Sequence, residues 1–262
     1  MIAVTDVLLP ASADEAVSVF GDGDGVTLIG GGTIVMPDIT AGRLKPEKTI
    51  LLARTGLAGV SRAGGSVTIG ATTPLQDLVD LPAPVGPCAA NVGDVEIRSQ
   101  ATLGGNLCAG GGAEAPRGDL QGALLAVVAQ VRSAGAGGVS TEPLEDFLGH
   151  RQGRLLLDVT YDEPAAGAFV ALDRPHTHEY TTLAVSTARL ADGTIRLAAT
   201  GAGGSGVRLP SAEAAANDPA AAGAAALQDV ELQDDALASA WYREQALPVL
   251  VRRALARLEE SG

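Results

Sequence analysis

Two glycine-rich segments are the parts of this sequence best suited to bind an anionic group. The first, Gly30-Gly31-Gly32-Thr33, directly follows the apolar run Val26–Ile29, and the second is Thr102-Leu103-Gly104-Gly105-Asn106. Glycine lets the main chain adopt positive φ and approach a ligand closely, and successive N–H groups in such turns form concave anion sites. Together the two segments could hold a diphosphate from two sides. Either one alone is equally compatible with a plain tight turn, because the chain contains 34 glycines.

The charge of the chain limits how such a group can be held. Eighteen Lys and Arg residues stand against 31 Asp and Glu residues, so the net charge is −13. A nucleic acid or an anionic membrane surface needs a basic footprint, which argues against both as partners. We therefore expect local main-chain dipoles, rather than bulk positive charge, to hold a pyrophosphate.

The composition indicates a globular protein with an aliphatic core, since 46% of the residues are hydrophobic and only 3% are aromatic. Cys88 and Cys108 are too few for a four-cysteine iron–sulfur or zinc site. We expect Cys108 to be a small buried residue close to the second glycine segment. The longest apolar run, 123–129, is too short to span a bilayer, and the N-terminus lacks the basic start of a signal peptide. A cytoplasmic protein without a membrane span is expected.

Strands and helices that could position the glycine segments follow from residue patterns. Ser12 and Glu15 have capping-box spacing, which predicts a helix from Ala13 that ends near Gly21. The pattern further predicts strands at 26–29, 49–52, 66–69, 129–133 and 155–161, and helices near 74, at 88–95 and at 119–128. Strands at 169–172, 182–190 and 194–200 and helices from 211 onward follow. In the last helix one face is apolar: Leu247, Val251, Ala254, Leu255 and Leu258.

Two other features could be mistaken for binding sites. Gly201-Ala202-Gly203-Gly204-Ser205-Gly206 fits the dinucleotide fingerprint, but that fingerprint needs a helix to begin within the loop. Pro210 instead favours an extended stretch before it. His176 and His178 would point the same way in a strand, yet they lack the further ligands that a metal site requires. We predict neither a Rossmann site nor a metal site.

The sequence resembles the medium, FAD-binding subunits of the molybdenum hydroxylases, the family of carbon monoxide dehydrogenase and xanthine dehydrogenase. The second glycine segment, within Ile97-Arg98-Ser99-Gln100-Ala101-Thr102-Leu103-Gly104-Gly105-Asn106-Leu107, is the most specific match. Further matches in the right order are Leu9-Pro10-Ala11-Ser12 with Glu15-Ala16, Gly30-Gly31-Gly32-Thr33, Ile69-Gly70-Ala71-Thr72-Thr73 and Trp241-Tyr242-Arg243 with Arg252-Arg253-Ala254-Leu255. Gly30 stands where the family usually has alanine.

The resemblance implies the residues that bind FAD. The two glycine segments with their flanks supply most of them, Asp119 is the best match to an aspartate that binds the nucleotide end, and Leu156 matches a leucine that contacts the flavin. The implied cofactor-binding residues are Leu28, Ile29, Gly30, Gly31, Gly32, Thr33, Ile34, Val35, Thr102, Leu103, Gly104, Gly105, Asn106, Asp119 and Leu156. No catalytic acid, base or nucleophile is implied, because the flavin performs the electron transfer.

The resemblance also implies a fold and a role. The expected fold is α+β: a two-loop FAD-binding domain at 1–157, with subdomains of about 1–52 and 53–157, followed by a C-terminal domain at 158–262 with an antiparallel sheet and helices. The implied role is to pass electrons from the [2Fe-2S] clusters of a small subunit through FAD to an external acceptor. A large subunit would hold the molybdopterin cofactor, in a dimer of heterotrimers.

Two alternatives stay open on the sequence alone. One is a free-standing FAD-dependent oxidase or reductase, which would need its own substrate pocket. The other is a scaffold subunit that has lost the cofactor.

Overall fold

The computed structural model describes residues 6–110, 118–172 and 180–261. Within these ranges the strands form three separate sheets. Their bounds are β1 Asp6–Leu8, β2 Val26–Ile29, β3 Lys48–Leu51, β4 Val60–Ala63, β5 Ser66–Gly70, β6 Gln130–Gly135, β7 Gly138–Pro143, β8 Leu155–Asp162, β9 Ala166–Ala171, β10 Ala184–Arg189, β11 Ile195–Thr200 and β12 Val207–Arg208.

The helices are short apart from the last one. Their bounds are α1 Ala13–Phe20, α2 Val35–Thr40, α3 Val85–Ala90, α4 Val95–Gln100, α5 Leu103–Leu107, α6 Leu120–Ala126, α7 Leu144–His150, α8 Pro210–Ala214, α9 Pro219–Ala225 and α10 Ala240–Glu260. Two 3₁₀ turns lie at Leu75–Leu78 and Ala226–Gln228. The mixture of helices and sheets confirms the α+β prediction.

The first sheet is small and parallel, in the order β1-β3-β2, and α1 packs against it. As the capping-box spacing predicts, the Ser12 hydroxyl accepts a hydrogen bond from the Glu15 N–H at 3.1 Å. The Glu15 carboxylate accepts from the Ala11 N–H at 2.7 Å, not from the Ser12 N–H. The chain therefore enters α1 in a fixed direction, and the parallel strand β2 delivers the first glycine segment to one end of the sheet.

The second sheet is antiparallel, in the order β4-β5-β8-β6-β7. Its strand β8 borders two hydrophobic cores, because Leu155 and Leu157 pack with α1 and β3 whereas Leu156 packs in the core of the second sheet. Successive strand side chains point to opposite faces, which explains this division. The β8 strand thus places Leu156 in the core of the second sheet, directly beside the core that α1 and β3 form.

The third sheet is antiparallel, in the order β12-β11-β10-β9, with α10 on one face and α6 near the other. The apolar face predicted for the last helix is confirmed, since Leu247, Val251, Ala254, Leu255 and Leu258 are all buried. Burial of this apolar face packs α10 against the third sheet.

The strands expected from the sequence are all present, with limits no more than three residues from the predicted ones. The region predicted as one helix at 88–95 is instead the end of α3, a turn and the start of α4. The segment Gly201-Ala202-Gly203-Gly204-Ser205-Gly206 runs into strand β12, which confirms the extended stretch predicted before Pro210. The proposed domain limit at residue 157 lies inside β8 and stays a prediction.

Candidate functional site

The structure places both glycine segments on one cleft of about 430 Å³, a volume within the usual range of ligand pockets. The predicted residues that line it are Leu28, Gly30, Gly31, Gly32, Thr33, Ile34, Val35, Thr102, Gly104, Gly105, Asn106, Asp119 and Leu156. Two predicted residues, Ile29 and Leu103, are buried and do not line the cleft. Neither faces the cleft because each belongs to a periodic element whose apolar side chain packs inward.

The two glycine segments touch each other. A Cβ atom at Gly31 would lie 1.7 Å from the main-chain oxygen of Gln100, and a Cβ atom at Gly30 would lie 2.6 Å from the Thr102 hydroxyl oxygen. Such distances are far below van der Waals contact, so only glycine permits this approach. Gly32 has φ +75°, a left-handed conformation that other residues rarely adopt. The close packing brings the ends of β2 and α4 to the same side of the cleft.

The main-chain amides of the first segment are open to a ligand. The N–H groups of Gly31, Gly32, Thr33 and Ile34 donate to no acceptor in the described part of the chain. Helix α2 follows at once, and its N-cap residue Ile34 makes no side-chain capping bond. Helix N-termini normally have such orphan donors satisfied by a cap, water or a ligand. Four successive unused amides therefore form a site suited to phosphate oxygens.

The second segment differs from the sequence expectation, because its amides from Leu103 to Asn106 are already used. The N–H groups of Leu103 and Gly104 donate to the carbonyl oxygens of Thr73 and Ala71, at 3.0 and 2.8 Å. Thr102 is the N-cap of α5, and its hydroxyl accepts from the Gly105 N–H at 3.2 Å. The second segment thus contributes shape to the cleft: its glycines keep this wall free of side chains.

Asn106 and Asp119 meet where α5 faces the start of α6. The side-chain oxygen of Asn106 accepts from the Leu120 N–H at 2.9 Å, which holds the residue next to Asp119 in place. The Asp119 main-chain oxygen accepts from the Thr200 hydroxyl at 3.2 Å. The Asp119 side chain is only 6% exposed and lines the cleft. A carboxylate that lines a cleft is suited to accept hydrogen bonds from sugar hydroxyl groups.

Tyr180 lines the same cleft, and the charge of Asp119 affects the pKa of its hydroxyl group. Its partial burial, followed by the negative charges of Asp119 and Asp38, raises the pKa of the Tyr180 hydroxyl. The phenol therefore stays protonated at neutral pH and can donate a hydrogen bond. Sequence reasoning missed Tyr180, since no motif surrounds it.

Two arginines in the cleft were also missed by the sequence reasoning. Arg151 and Arg154 follow α7 and precede β8, and both line the cleft. These arginines line the same cleft as the main-chain dipoles that we expect to hold a pyrophosphate, and that expectation stays a prediction. The sequence placed these arginines just before the strand of Leu156 but gave no other indication of their role. Where their side chains point depends on the turn that joins α7 to β8.

Cys108 is not buried as expected, since its side chain opens onto the cleft. The surrounding protein nevertheless desolvates the thiol and raises the pKa of Cys108 to about 11, against an opposing effect of the Arg151 charge. The thiol is consequently protonated at neutral pH and unsuited to nucleophilic chemistry. Burial, and next the Asp119 charge, likewise raises the pKa of Cys88.

The described residues include no group of three or more His, Cys, Asp or Glu side chains arranged to hold a metal ion. His176 and His178 lie outside the described residues. His150 is 3.0 Å from the Glu142 carboxylate on the neighbouring strand β7. No helix in ranges 6–110, 118–172 and 180–261 is long and apolar enough to cross a membrane.

Comparisons with known proteins show which family this chain resembles. Residues 3–160 match the family model for the FAD binding domain in molybdopterin dehydrogenase. The chain is 27% identical over 282 residues to the 6-hydroxypseudooxynicotine dehydrogenase complex subunit alpha of Paenarthrobacter nicotinovorans, a match that covers 96% of this chain and 93% of that protein. It is 30% identical over 146 residues to the carbon monoxide dehydrogenase medium chain of Hydrogenophaga pseudoflava, covering 53% of this chain and 50% of that one.

Solved structures show the same fold along the whole chain. A carbon monoxide dehydrogenase from Hydrogenophaga pseudoflava that lacks the Mo-pyranopterin moiety of its cofactor matches with a TM-score of 0.87 and 25% identity, over 99% of both chains. Quinoline 2-oxidoreductase from Pseudomonas putida 86 matches in fold with a TM-score of 0.82 and 20% identity, over 98% of this chain and 97% of that one. The chain therefore belongs to the FAD-binding subunits of the molybdopterin dehydrogenases and is a flavoprotein subunit of a molybdenum hydroxylase-type oxidoreductase.

Proposed function

We propose that this chain holds FAD in the cleft between its glycine segments and there links the [2Fe-2S] clusters of a small partner subunit to an external electron acceptor. A large molybdopterin subunit would complete the complex, assembled as a dimer of heterotrimers. The relatives support this assignment: one is a subunit of a dehydrogenase complex and another is a medium chain.

The observation that supports the proposal most directly is the row of unused amides from Gly31 to Ile34. In a chain of net charge −13, a diphosphate needs donors whose positions are fixed before it binds. These amides satisfy that need, since β2 fixes one end of the row and α2 the other. The bound diphosphate would in turn cap α2.

The other cleft residues fit the remaining parts of FAD. Asp119 would accept hydrogen bonds from hydroxyl groups of the nucleotide, and Leu156 would offer an apolar contact to the flavin ring. The bare glycine surface at Gly104 and Gly105 would let the cofactor approach the main chain. Bound FAD supplies the ability to accept and release electrons, which no side chain of this protein provides. The residues hold the cofactor, orient it and exclude water from its apolar side.

The first test is the composition of the purified complex. We expect stoichiometric FAD on this chain, together with iron and molybdenum on its partners. A complex that contains the metals but no flavin would reject the proposal. Turnover of a substrate by the isolated chain would instead favour a free-standing oxidase or reductase.

The second test obstructs the cleft without disturbing the core. Beyond the Thr102 hydroxyl at 3.1 Å, a Cβ atom at Gly105 meets no other heavy atom within 4 Å, so Gly105→Val directs its methyl groups into open space at the cleft. We expect this variant to fold and to lose most of its FAD. Gly137→Val is the matched control, because a Cβ atom there also meets nothing within 4 Å but lies in the β6–β7 turn. Equal FAD content in both variants would contradict the assigned site.

A further inference from the structure

Arg151 is held at the cleft by main-chain carbonyl groups. Its Nη1 donates to the Leu148 oxygen at 2.6 Å, and its Nε and Nη2 lie 3.4 Å from the oxygens of Cys108 and Ala109. These contacts fix the guanidinium group between the end of α7 and the end of α5. The side chain is therefore ordered before any ligand binds.

Arg151 differs from the other arginine that the described structure places in the cleft. Arg154 donates to the hydroxyls of Ser133 and Ser140 and forms an ion pair with Glu142 at 3.8 Å. Arg151 has no carboxylate partner among the described residues. A guanidinium group has five N–H donors, and the three contacts of Arg151 leave two of them for a ligand.

The surroundings of Arg151 suggest what a positive charge without a carboxylate partner does at this position. The chain is strongly acidic, and the cleft also contains the buried side chain of Asp119. The amides from Gly31 to Ile34 supply partial charges but no full positive charge. A counter-charge would strengthen the binding of a dianionic ligand in this cleft, and of the two described arginines that line it, Arg151 is the one without a carboxylate partner.

We propose that Arg151 is a cofactor-binding residue that donates hydrogen bonds to the FAD diphosphate and balances its charge. This inference rests on the proposed function of the cleft, since it assumes that FAD is the ligand. The guanidinium group acts together with the amides of the first glycine segment, which line the same cleft. A charge-assisted contact of this kind strengthens binding by roughly tenfold to a hundredfold.

The test measures FAD affinity in full-length protein from which the flavin has been removed. Arg151→Gln should weaken FAD binding by about tenfold to a hundredfold and make the dissociation constant less sensitive to salt. Arg151→Lys, which keeps the charge, should recover most of the affinity and the salt dependence. Arg253→Gln is the matched control, because it removes the same charge from an exposed position of α10. It should behave like the wild type.

A purely structural role for Arg151 predicts a different pattern. The carbonyl contacts would then matter most, so Arg151→Gln and Arg151→Lys would weaken FAD binding alike and lower the melting temperature of the flavin-free protein. That result, or unchanged affinity in Arg151→Gln, would overturn the inference. Failure of the wild type to bind FAD at all would instead reject the proposed function of the cleft.

Discussion

Replacing Gly31 by alanine should separate the two glycine segments. The new Cβ atom would start 1.7 Å from the main-chain oxygen of Gln100, whereas real Cβ contacts are essentially never shorter than 3.0 Å. The segments must therefore move apart by about 1.3 Å, because a main-chain carbonyl cannot rotate away as a side chain can. The displaced segment is the one that offers unused amides to the cleft.

Two effects of Gly31→Ala can be estimated. Overpacking a well-fitted contact costs roughly 1–3 kcal/mol, which for a chain of this size lowers the melting temperature by roughly 3–10 °C. A shift of about 1.3 Å also exceeds the tolerance of N–H···O hydrogen bonds, whose lengths span about 2.7–3.2 Å. Loss of one charge-assisted bond would weaken FAD binding by about tenfold to a hundredfold.

The assay combines thermal unfolding of the flavin-free protein with titration by FAD. Gly137→Ala is the control, since a Cβ atom at that position meets nothing within 4 Å. If Gly31→Ala retains both the melting temperature and the FAD affinity of the wild type, the contact between the segments does not shape the cleft, and the reasoning fails.

Three further predictions concern the rest of the chain. Leu247→Ala should destabilise the protein by about 2–5 kcal/mol in denaturant unfolding, because Leu247 is fully buried under the third sheet, whereas Leu237→Ala at an exposed position should change it little. Arg243→Ala should cost about 3–5 kcal/mol in the same measurement, since Arg243 is 1% exposed and its removal leaves Asp235 without this ion pair; an equal loss in Arg253→Ala would contradict this explanation. Cys108 should react slowly with iodoacetamide at pH 8 and faster as the pH approaches 11, because its thiol is protonated below a pKa of about 11. Rapid alkylation of Cys108 at pH 8, followed by mass spectrometry, would refute that assignment.

The sequence allowed prediction of the periodic elements and of the two glycine segments. The face of α10 was predictable because its apolar spacing fits a helix over several turns. Strand β4 and strand β7 were not predicted, since their residues are mostly exposed and show no apolar alternation. Such edge strands form because a neighbouring strand offers hydrogen bonds, which is a tertiary effect.

The chemistry of the cleft was predictable only in part. Residue types indicated where the main chain could approach a ligand, and the structure places most of those residues together. Which amides already donate hydrogen bonds within the protein could not be predicted. The N–H groups of Leu103 and Gly104 donate to the carbonyl oxygens of Thr73 and Ala71, which lie in a turn distant in sequence. The position of Arg151 likewise depends on contacts between α7 and the end of α5, which are far apart in sequence.

The strand β8 has a consequence for how the molecule opens. Its neighbouring leucines, Leu155 and Leu156, belong to different cores, so neither core can lose its packing without exposing part of the other. Amide hydrogens in β3 and β5 should therefore exchange with solvent through the same cooperative event, with one shared free energy. A rigid junction of this kind would keep the distance between the two cores constant while ligands enter and leave.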